Sequence, residues 1–410
     1  MARSDIRMRG FATRSTVDEA LAWVDAHTAP LSGETVPVRG AGGRILAADV
    51  TARVNVPPFT RSAMDGYALR GEETTGAGPY NPIEFRIVGE SFPGRPSATR
   101  VEPGTCVRIM TGAPLPDGAD AVLPVEGTEP VREGVVAALE AVPPAKHVGR
   151  IGEDVAVGQV LLTPGRSLRP QDLAISAAVG TTELTVVRRP RVAILVTGNE
   201  LAAPGDPLGP CQIYDSNTDL LAALVARDGG ELTAVVRLRD DREAIRTALL
   251  ETEADVLLFS GGSSVGAEDH APTLVAQEGT LAIHGIAMRP SSPAGMGQVR
   301  DRLVFLLPGN PVSCLCAYDF FAGRAIRLLG GRSADWPYRV ETRTVARKLA
   351  SVVGRVDYAR VRINADGQVE PLATSGASIL SSTVRADGFA LIPAESEGFG
   401  PGMAVEVLRY

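Results

Sequence analysis

Cysteine and histidine are scarce in this sequence, four of each in 410 residues, and no two cysteines stand in C-x-x-C spacing. That shortage argues against a structural zinc site. Cys314 and Cys316 lie two apart in an apolar run, a spacing that turns them to different faces of a helix, so buried thiols are expected there. With Cys106 and Cys211 the set fits a reducing compartment. Positive charge is also short: 41 Lys and Arg against 48 Asp and Glu leave a formal charge of -7. No broad basic field is available for nucleic acid, so any anion must be held locally. No run of about 18 apolar residues occurs, and the Arg-bearing start has no apolar leader core. A cytoplasmic protein that neither crosses nor enters a membrane is expected. Repeats and low-complexity tracts are absent as well. Glycine and proline are plentiful, 44 and 30, and 44% hydrophobic with 22% charged residues is ordinary for a globular chain rich in turns. The length predicts about two to four domains.

Thr16 and Glu19 form a capping-box pattern, and Val17, Ala20, Leu21 and Val24 follow at helical spacing, so an amphipathic helix opens the chain. From Val54 to Val142 short apolar runs alternate with "VPPF", "FPGRP" and "APLPDGAD", which predicts a small β domain. An extended segment and a helix around Gln171 to Ala178 come next. Residues 190 to 330 change grammar: "RVAILVTG", "ELTAVVRL", "DVLLFSGG" and "DRLVFLLPG" are strands, with helical patterns between them. That alternation predicts a mostly parallel, doubly wound α/β sheet covered on both faces. After Asp215, Leu220, Leu221, Leu224 and Val225 make one apolar stripe that Gly229 and Gly230 end. Tyr338 to Tyr410 returns to short strands and turns, a terminal β domain.

In such a sheet ligands bind beyond the carboxyl ends of the strands, and three loops there carry polar residues. "VTGNEL" supplies Thr197, Asn199 and Glu200. "FSGGSSVGAEDH" supplies Gly261, Gly262 and Gly266, which free the backbone to aim N–H groups at phosphate, and the hydroxyls of Ser263 and Ser264. "LPGNPVS" brings Pro308, Gly309, Asn310, Pro311 and Ser313 to a helix start suited to an oxyanion. Tight packing also needs glycine, so the argument rests on three such loops in one domain. None is a Walker A loop or a G-x-G-x-x-G turn, which disfavours a nucleotide triphosphatase or a Rossmann dehydrogenase. Asp65, Asp154, Glu200, Asp215 and Asp269 are hard oxygen donors in loop-like contexts that suit Mg²⁺ with phosphate oxygens. The plainer alternatives are that Asp215 caps a helix and Asp65 makes a turn.

"PPFTRSAMDGYAL", "MTGAPLPDGADAV", "GED", "TGNEL", "YDSN", "SGGSSVGAEDH" and "LPGNPVS" occur here in the order found in the MoeA family, and the chain resembles that family, gephyrin E domains included, along essentially its whole length. The resemblance implies four parts: an elongated N-terminal domain from 1–54 plus 146–188, an inserted β domain at 55–145, an α/β molybdopterin-binding domain at 189–332 like the molybdopterin adenylyltransferases, and a C-terminal β barrel at 338–410. It implies a homodimer with a cleft between subunits, and molybdopterin adenylyltransferase and apo-molybdoenzymes as partners. It also implies Mg-dependent insertion of molybdate into adenylylated molybdopterin with release of AMP.

Carried over by motif, the catalytic positions are Asp65, Thr111, Asp154, Glu200 and Asp269, with Asp65, Asp269 and Glu200 as metal ligands. The pterin and oxyanion positions are Asp215, Ser216, Gly261, Gly262, Ser263, Ser264, Gly266, Pro308, Gly309, Asn310, Pro311, Ser313, Arg289 and Arg355. The chain departs from the family at 289 to 293. Where many members have K-P-G-K-P, it has Arg289, Pro290, Ser291, Ser292 and Pro293, so one base is kept and the other is Ser292. Ala377 stands where a serine is expected, with Ser375 and Ser378 beside it. Alternative readings are adenylyl transfer from ATP, a catalytically silent scaffold, and a preference for tungstate.

Overall fold

The computed structural model describes residues 14–262, 269–373 and 375–410. By contact the chain forms two compact units, Met1–Glu34 with Val187–Tyr410, and Thr35–Val186.

The larger unit is built on a six-stranded sheet whose strands lie side by side as Glu231–Leu238, Arg191–Thr197, Val256–Ser260, Arg302–Leu307, Gly295–Val299 and Thr280–His284. The first four are parallel, and Gly295–Val299 runs antiparallel to both of its neighbours, Arg302–Leu307 and Thr280–His284. The three central parallel strands are buried on both faces, which is why their sequences are continuous apolar runs. Alternate residues serve opposite layers. Val192, Ile194 and Val196 pack with Leu221, Leu224 and Val225 of the helix Asn217–Arg227. Ala193 and Leu195 pack with Ile245 and Leu249 of Arg242–Glu251 and with Leu274 and Val275 of Ala271–Glu278. Each such fully buried aliphatic side chain contributes about 1.5–3 kcal/mol. The sequence leads one to expect helices between every pair of strands; instead residues 280–299 form an antiparallel hairpin at the sheet edge. Its short runs, "TLAIH" and "GMGQV", are too weakly patterned to be read as strands.

The opening helix, Val17–Ala26, has the expected capping box: Glu19 N donates to Thr16 Oγ1 at 3.1 Å and Thr16 N to Glu19 Oε2 at 2.8 Å. Val17, Ala20 and Val24 enter the first apolar layer beside Tyr318 and Phe321, and Arg324 Nε donates to Asp25 Oδ1 at 2.6 Å. By contact this helix therefore belongs to the unit that holds the α/β sheet. Cys106, Cys314 and Cys316 are buried and Cys211 is exposed, all four as free thiols. Burial pushes the Cys314 thiol up to about 12, so it is inert at neutral pH.

The C-terminal residues form a curled sheet in the same unit: Met288–Arg289, Val356–Ile363, Gly388–Ile392, Ala404–Arg409 and Arg339–Thr344 in spatial order, with Val369–Ala373 also paired to Val356–Ile363. A bridge joins Val345, just after Arg339–Thr344, to Val369 at the start of Val369–Ala373. The 289 segment is thus stitched to this sheet, Met288 opposite Val356 and Arg289 opposite Asp357. Among the described residues no helix is long and apolar enough to cross a membrane.

The smaller unit holds a mixed six-stranded sheet in the order Ala121–Pro124, Gly66–Leu69, Thr105–Ile109, Ile83–Ser91, Val135–Ala138 and Thr128–Arg132. It also holds the helix Pro170–Ala178 and two short strand pairs, Arg61–Ser62 with Val148–Gly149 and Val50–Thr51 with Val160–Leu162.

Candidate functional site

Three neighbouring parallel strands end at Thr197, Ser260 and Leu307, and the loops that leave them line one cavity of about 600 Å³. Gly198, Glu200, Gly261, Gly262, Asp269, Pro308, Gly309, Asn310 and Pro311 all reach it, as do Asp215 and Ser216. Ser263, Ser264 and Gly266 lie outside the described residues. Asn217, at the start of the next helix, ties the loops together: its Nδ2 donates to Ser260 Oγ at 2.9 Å and to Gly309 O at 2.8 Å. Glycine is required at 261, where φ is +90° and a Cβ would sit 2.3 Å from Thr197 O.

The cavity is acidic. Glu200, Asp215, Asp240 and Asp269 line it, and among the described residues no Lys or Arg does. Asp215 is committed internally: it accepts from Thr218 N at 3.1 Å, Thr218 Oγ1 at 2.5 Å and Arg237 Nε at 3.2 Å. It caps its helix while facing the cavity. Asp240 accepts from Asn199 N at 3.0 Å, a contact that the sequence reading missed although "RLRDD" leaves the fourth parallel strand. Among the described residues Thr197 Oγ1 and Asn217 Oδ1 are buried without a hydrogen-bond partner. Such atoms are costly unless a ligand or water completes them. The donor set suits Mg²⁺, which takes one or two carboxylates and completes its shell with phosphate and water oxygens. Among the described residues no three His, Cys, Asp or Glu stand close enough to hold a metal by themselves.

A second cavity of about 780 Å³ shares Pro293, Pro308 and Asn310 with the first. Among the described residues its ionisable lining is arginine alone: Arg14, Arg289 and Arg355. Ser291, Ser292, Asn310, Ser313 and Ser375 add polar groups to its wall, with Gly376 and Ala377 beside them. Arg289 and Arg355 meet on a single carboxylate, the fully buried Asp357. Arg289 Nη2 donates to one oxygen, Arg355 Nε to the other at 3.1 Å, and Ser351 Oγ adds a bond of 2.7 Å. Arg289, expected as the surviving base, is thus a cation held by a carboxylate. Its Nε, like Ser292 Oγ, is buried without a partner among the described residues. Ser291 Oγ donates to Ser313 O at 2.5 Å.

The C-terminal wall is held from behind by Arg360. Its Nε donates to Ala373 O and its Nη1 to Gly376 O, both at 3.3 Å, its Nη1 also to Ser382 Oγ at 2.9 Å, and its Nη2 to Ser375 O. Val312 N donates to Ala377 O at 3.0 Å, so the first helical turn after Asn310 is bonded to that wall.

In the smaller unit two candidate residues meet. Asp65 Oδ1 accepts from Thr111 N at 2.7 Å and from Thr111 Oγ1 at 2.8 Å. The Thr111 N–H, then its hydroxyl, hold the Asp65 carboxyl below the usual carboxylate range. Gly66 is required beside it because a Cβ there would sit 2.0 Å from Leu123 O. Asp154 is exposed, and its backbone N–H donates to Val56 O at 3.0 Å.

Three family descriptions match the chain in order: the MoeA N-terminal region (domain I and II) over residues 15–180, a probable molybdopterin binding domain over 193–327, and the MoeA C-terminal region (domain IV) over 342–410. A molybdopterin molybdenumtransferase 2 of Mycobacterium tuberculosis is 41% identical over 314 residues, 74% of this chain and 76% of that protein. The molybdopterin molybdenumtransferase of Haemophilus influenzae is 32% identical over 385 residues, 92% of this chain and 94% of that one. A crystal structure of a molybdopterin biosynthesis MoeA protein from Pyrococcus horikosii aligns with a TM-score of 0.82 at 32% identity, covering 97% of this chain and 99% of that chain.

Proposed function

The chain belongs to the MoeA family and is a transferase of molybdenum-cofactor biosynthesis, and from that premise we propose that it inserts molybdate into adenylylated molybdopterin with release of AMP. The observation that carries the reading is the pair of adjoining cavities, one lined by carboxylates and the other by arginines, with Pro293, Pro308 and Asn310 common to both.

The reaction needs two environments of opposite sign. The phosphoanhydride that joins AMP to the pterin must be cleaved by water, releasing AMP and the pterin phosphate, and a metal oxyanion must wait beside the dithiolate that receives it. In the carboxylate cavity Glu200 and Asp269 would hold the cation, and Thr197 Oγ1 and Asn217 hydrogen-bond the substrate. Mg²⁺ bound there would supply charge neutralisation and polarisation of the AMP-bearing phosphate. Glycine at 261 and 262 lets backbone approach the phosphate without side-chain interference. In the arginine cavity Arg289 Nε, Ser292 Oγ and the Ser375 wall offer donors to a tetrahedral oxyanion. The reading includes a homodimer in which Asp65, Thr111 and Asp154 of one protomer complete the carboxylate cavity of the other.

Supplying purified protein with adenylylated molybdopterin, Mg²⁺ and molybdate, then following AMP and the reconstitution of an apo-molybdoenzyme, tests it. AMP release that requires the divalent cation, together with active cofactor, is expected. Cation-independent AMP levels equal to a no-protein control would reject the reading, and ATP consumption with unadenylylated pterin would favour adenylyl transfer instead.

A further inference from the structure

We propose that Arg14 is an oxyanion-binding residue of the arginine-lined cavity, serving in place of a second base in the 289–293 segment; the inference rests on the reading of that cavity as the oxyanion site.

Charge balance is the first ground. Among the described residues three arginines line the cavity, and the one carboxylate paired to any of them, Asp357, is shared between Arg289 and Arg355. Three positive charges against one negative leave a surplus of two. A tetrahedral metal oxyanion carries two negative charges, so binding neutralises the group. Arg14 has no hydrogen bond or ion pair among the described residues, so its charge is not already spent. Lysine cannot substitute: the chain has two, Lys146 and Lys348, and neither lines this cavity.

Placement is the second ground. Ser15 pairs with Ile286 in a parallel bridge: Ser15 N donates to Gly285 O at 3.0 Å and Ala287 N to Ser15 O at 2.8 Å. On the other side Thr16 caps the helix Val17–Ala26. The backbone next to Arg14 is therefore held on both counts, and the segment it bridges leads two residues on into the strand Met288–Arg289. Two distant stretches of sequence deliver cations to one wall.

The third ground is unsatisfied bonding on that wall. Among the described residues Arg289 Nε and Ser292 Oγ are buried donors without acceptors. A bound oxyanion supplies the acceptors, and an exposed arginine at the rim supplies field and capture. Its loss should raise the concentration of oxyanion required and leave the chemical step alone, because the group binds substrate and transition state alike.

The experiment compares wild type with Arg14→Ala, Arg14→Lys, Arg289→Ala and, as a charge control outside both cavities, Arg339→Gln. Each is titrated with sodium molybdate and sodium tungstate in the AMP-release assay at low and moderate salt, and by equilibrium dialysis with molybdate. Arg14→Ala is expected to raise the molybdate KM and Kd about five- to tenfold with kcat unchanged, and to flatten the salt dependence. Arg14→Lys should retain most of the affinity, and Arg339→Gln should match wild type. An Arg14→Ala titration that superimposes on wild type while Arg289→Ala is shifted overturns the proposal alone. If neither shifts, the oxyanion reading of the cavity falls with it.

Discussion

The two cavities share the turn at Pro308 and Asn310 yet have opposite charge, and the difference lies in which part of the chain faces each. Loops from the parallel strands supply carboxylates to one side. The chain start, the 289–293 segment and the curled C-terminal sheet supply arginines to the other. A strand's carboxyl end leaves loops free of the sheet, and loops tolerate Asp, Asn and Gly. Long basic side chains need a wall to lie against, and a second sheet provides it. In the proposed reaction the carboxylates would gather the cation and the arginines the oxyanion, on either side of the shared turn.

The comparison breaks most sharply at Asp269. If the carboxylate cavity does the phosphate chemistry, Asp269→Asn should lower AMP release about 10²- to 10³-fold. Molybdate binding by equilibrium dialysis should stay at the wild-type level. A parallel loss of both would mean that the cavities do not divide the work. Next in size is Asp357→Asn, which leaves Arg289 and Arg355 facing each other without their shared carboxylate. A loss of about 3 kcal/mol is expected in urea unfolding, partly recovered by added molybdate. Unfolding curves identical to wild type would show that the pair does not need Asp357.

How far the sequence reaches follows the same division. The capping box at Thr16 and Glu19 and the strands "RVAILVT", "VLLFS" and "RLVFLL" are legible because their causes are local: a three-residue spacing, and apolar runs long enough for a strand. The three loops around the carboxylate cavity follow from those strands, since consecutive parallel strands end on one side. The arginine cavity is not legible this way. Arg14, Arg289, Arg355 and Asp357 come from three stretches up to about 340 residues apart, and only the pairing of Ser15 with Ile286 and of Arg289 with Asp357 joins them. The opening helix shows the same limit. Its apolar face is plain in the sequence, but its partners Tyr318 and Phe321 lie some 300 residues away. Asn217 sits inside the "YDSN" motif, and its role as a tie between Ser260 and Gly309 appears only in three dimensions.

Asp65 sharpens the contrast on the smallest scale, because it is an exposed carboxylate held by neutral donors, where Asp357 is buried and held by cations. Thr111 supplies both donors, and the backbone N–H contributes more than the hydroxyl to keeping the carboxyl below its ordinary range. Thr111→Val removes the hydroxyl and leaves the N–H. The Asp65 carboxyl should then titrate higher, though still below the unfolded value, and an NMR titration of its side-chain carbon reads that directly. The sign for stability follows: a depressed carboxyl stabilises the fold above the unfolded-state value and loses that contribution as pH falls through the folded one. The variant should therefore be the less stable at neutral pH and converge with wild type in acid. If Asp65 must be ionised for activity, the acid limb of the AMP-release profile should move upward with it. A titration that moves while the acid limb stays would assign Asp65 to the turn alone.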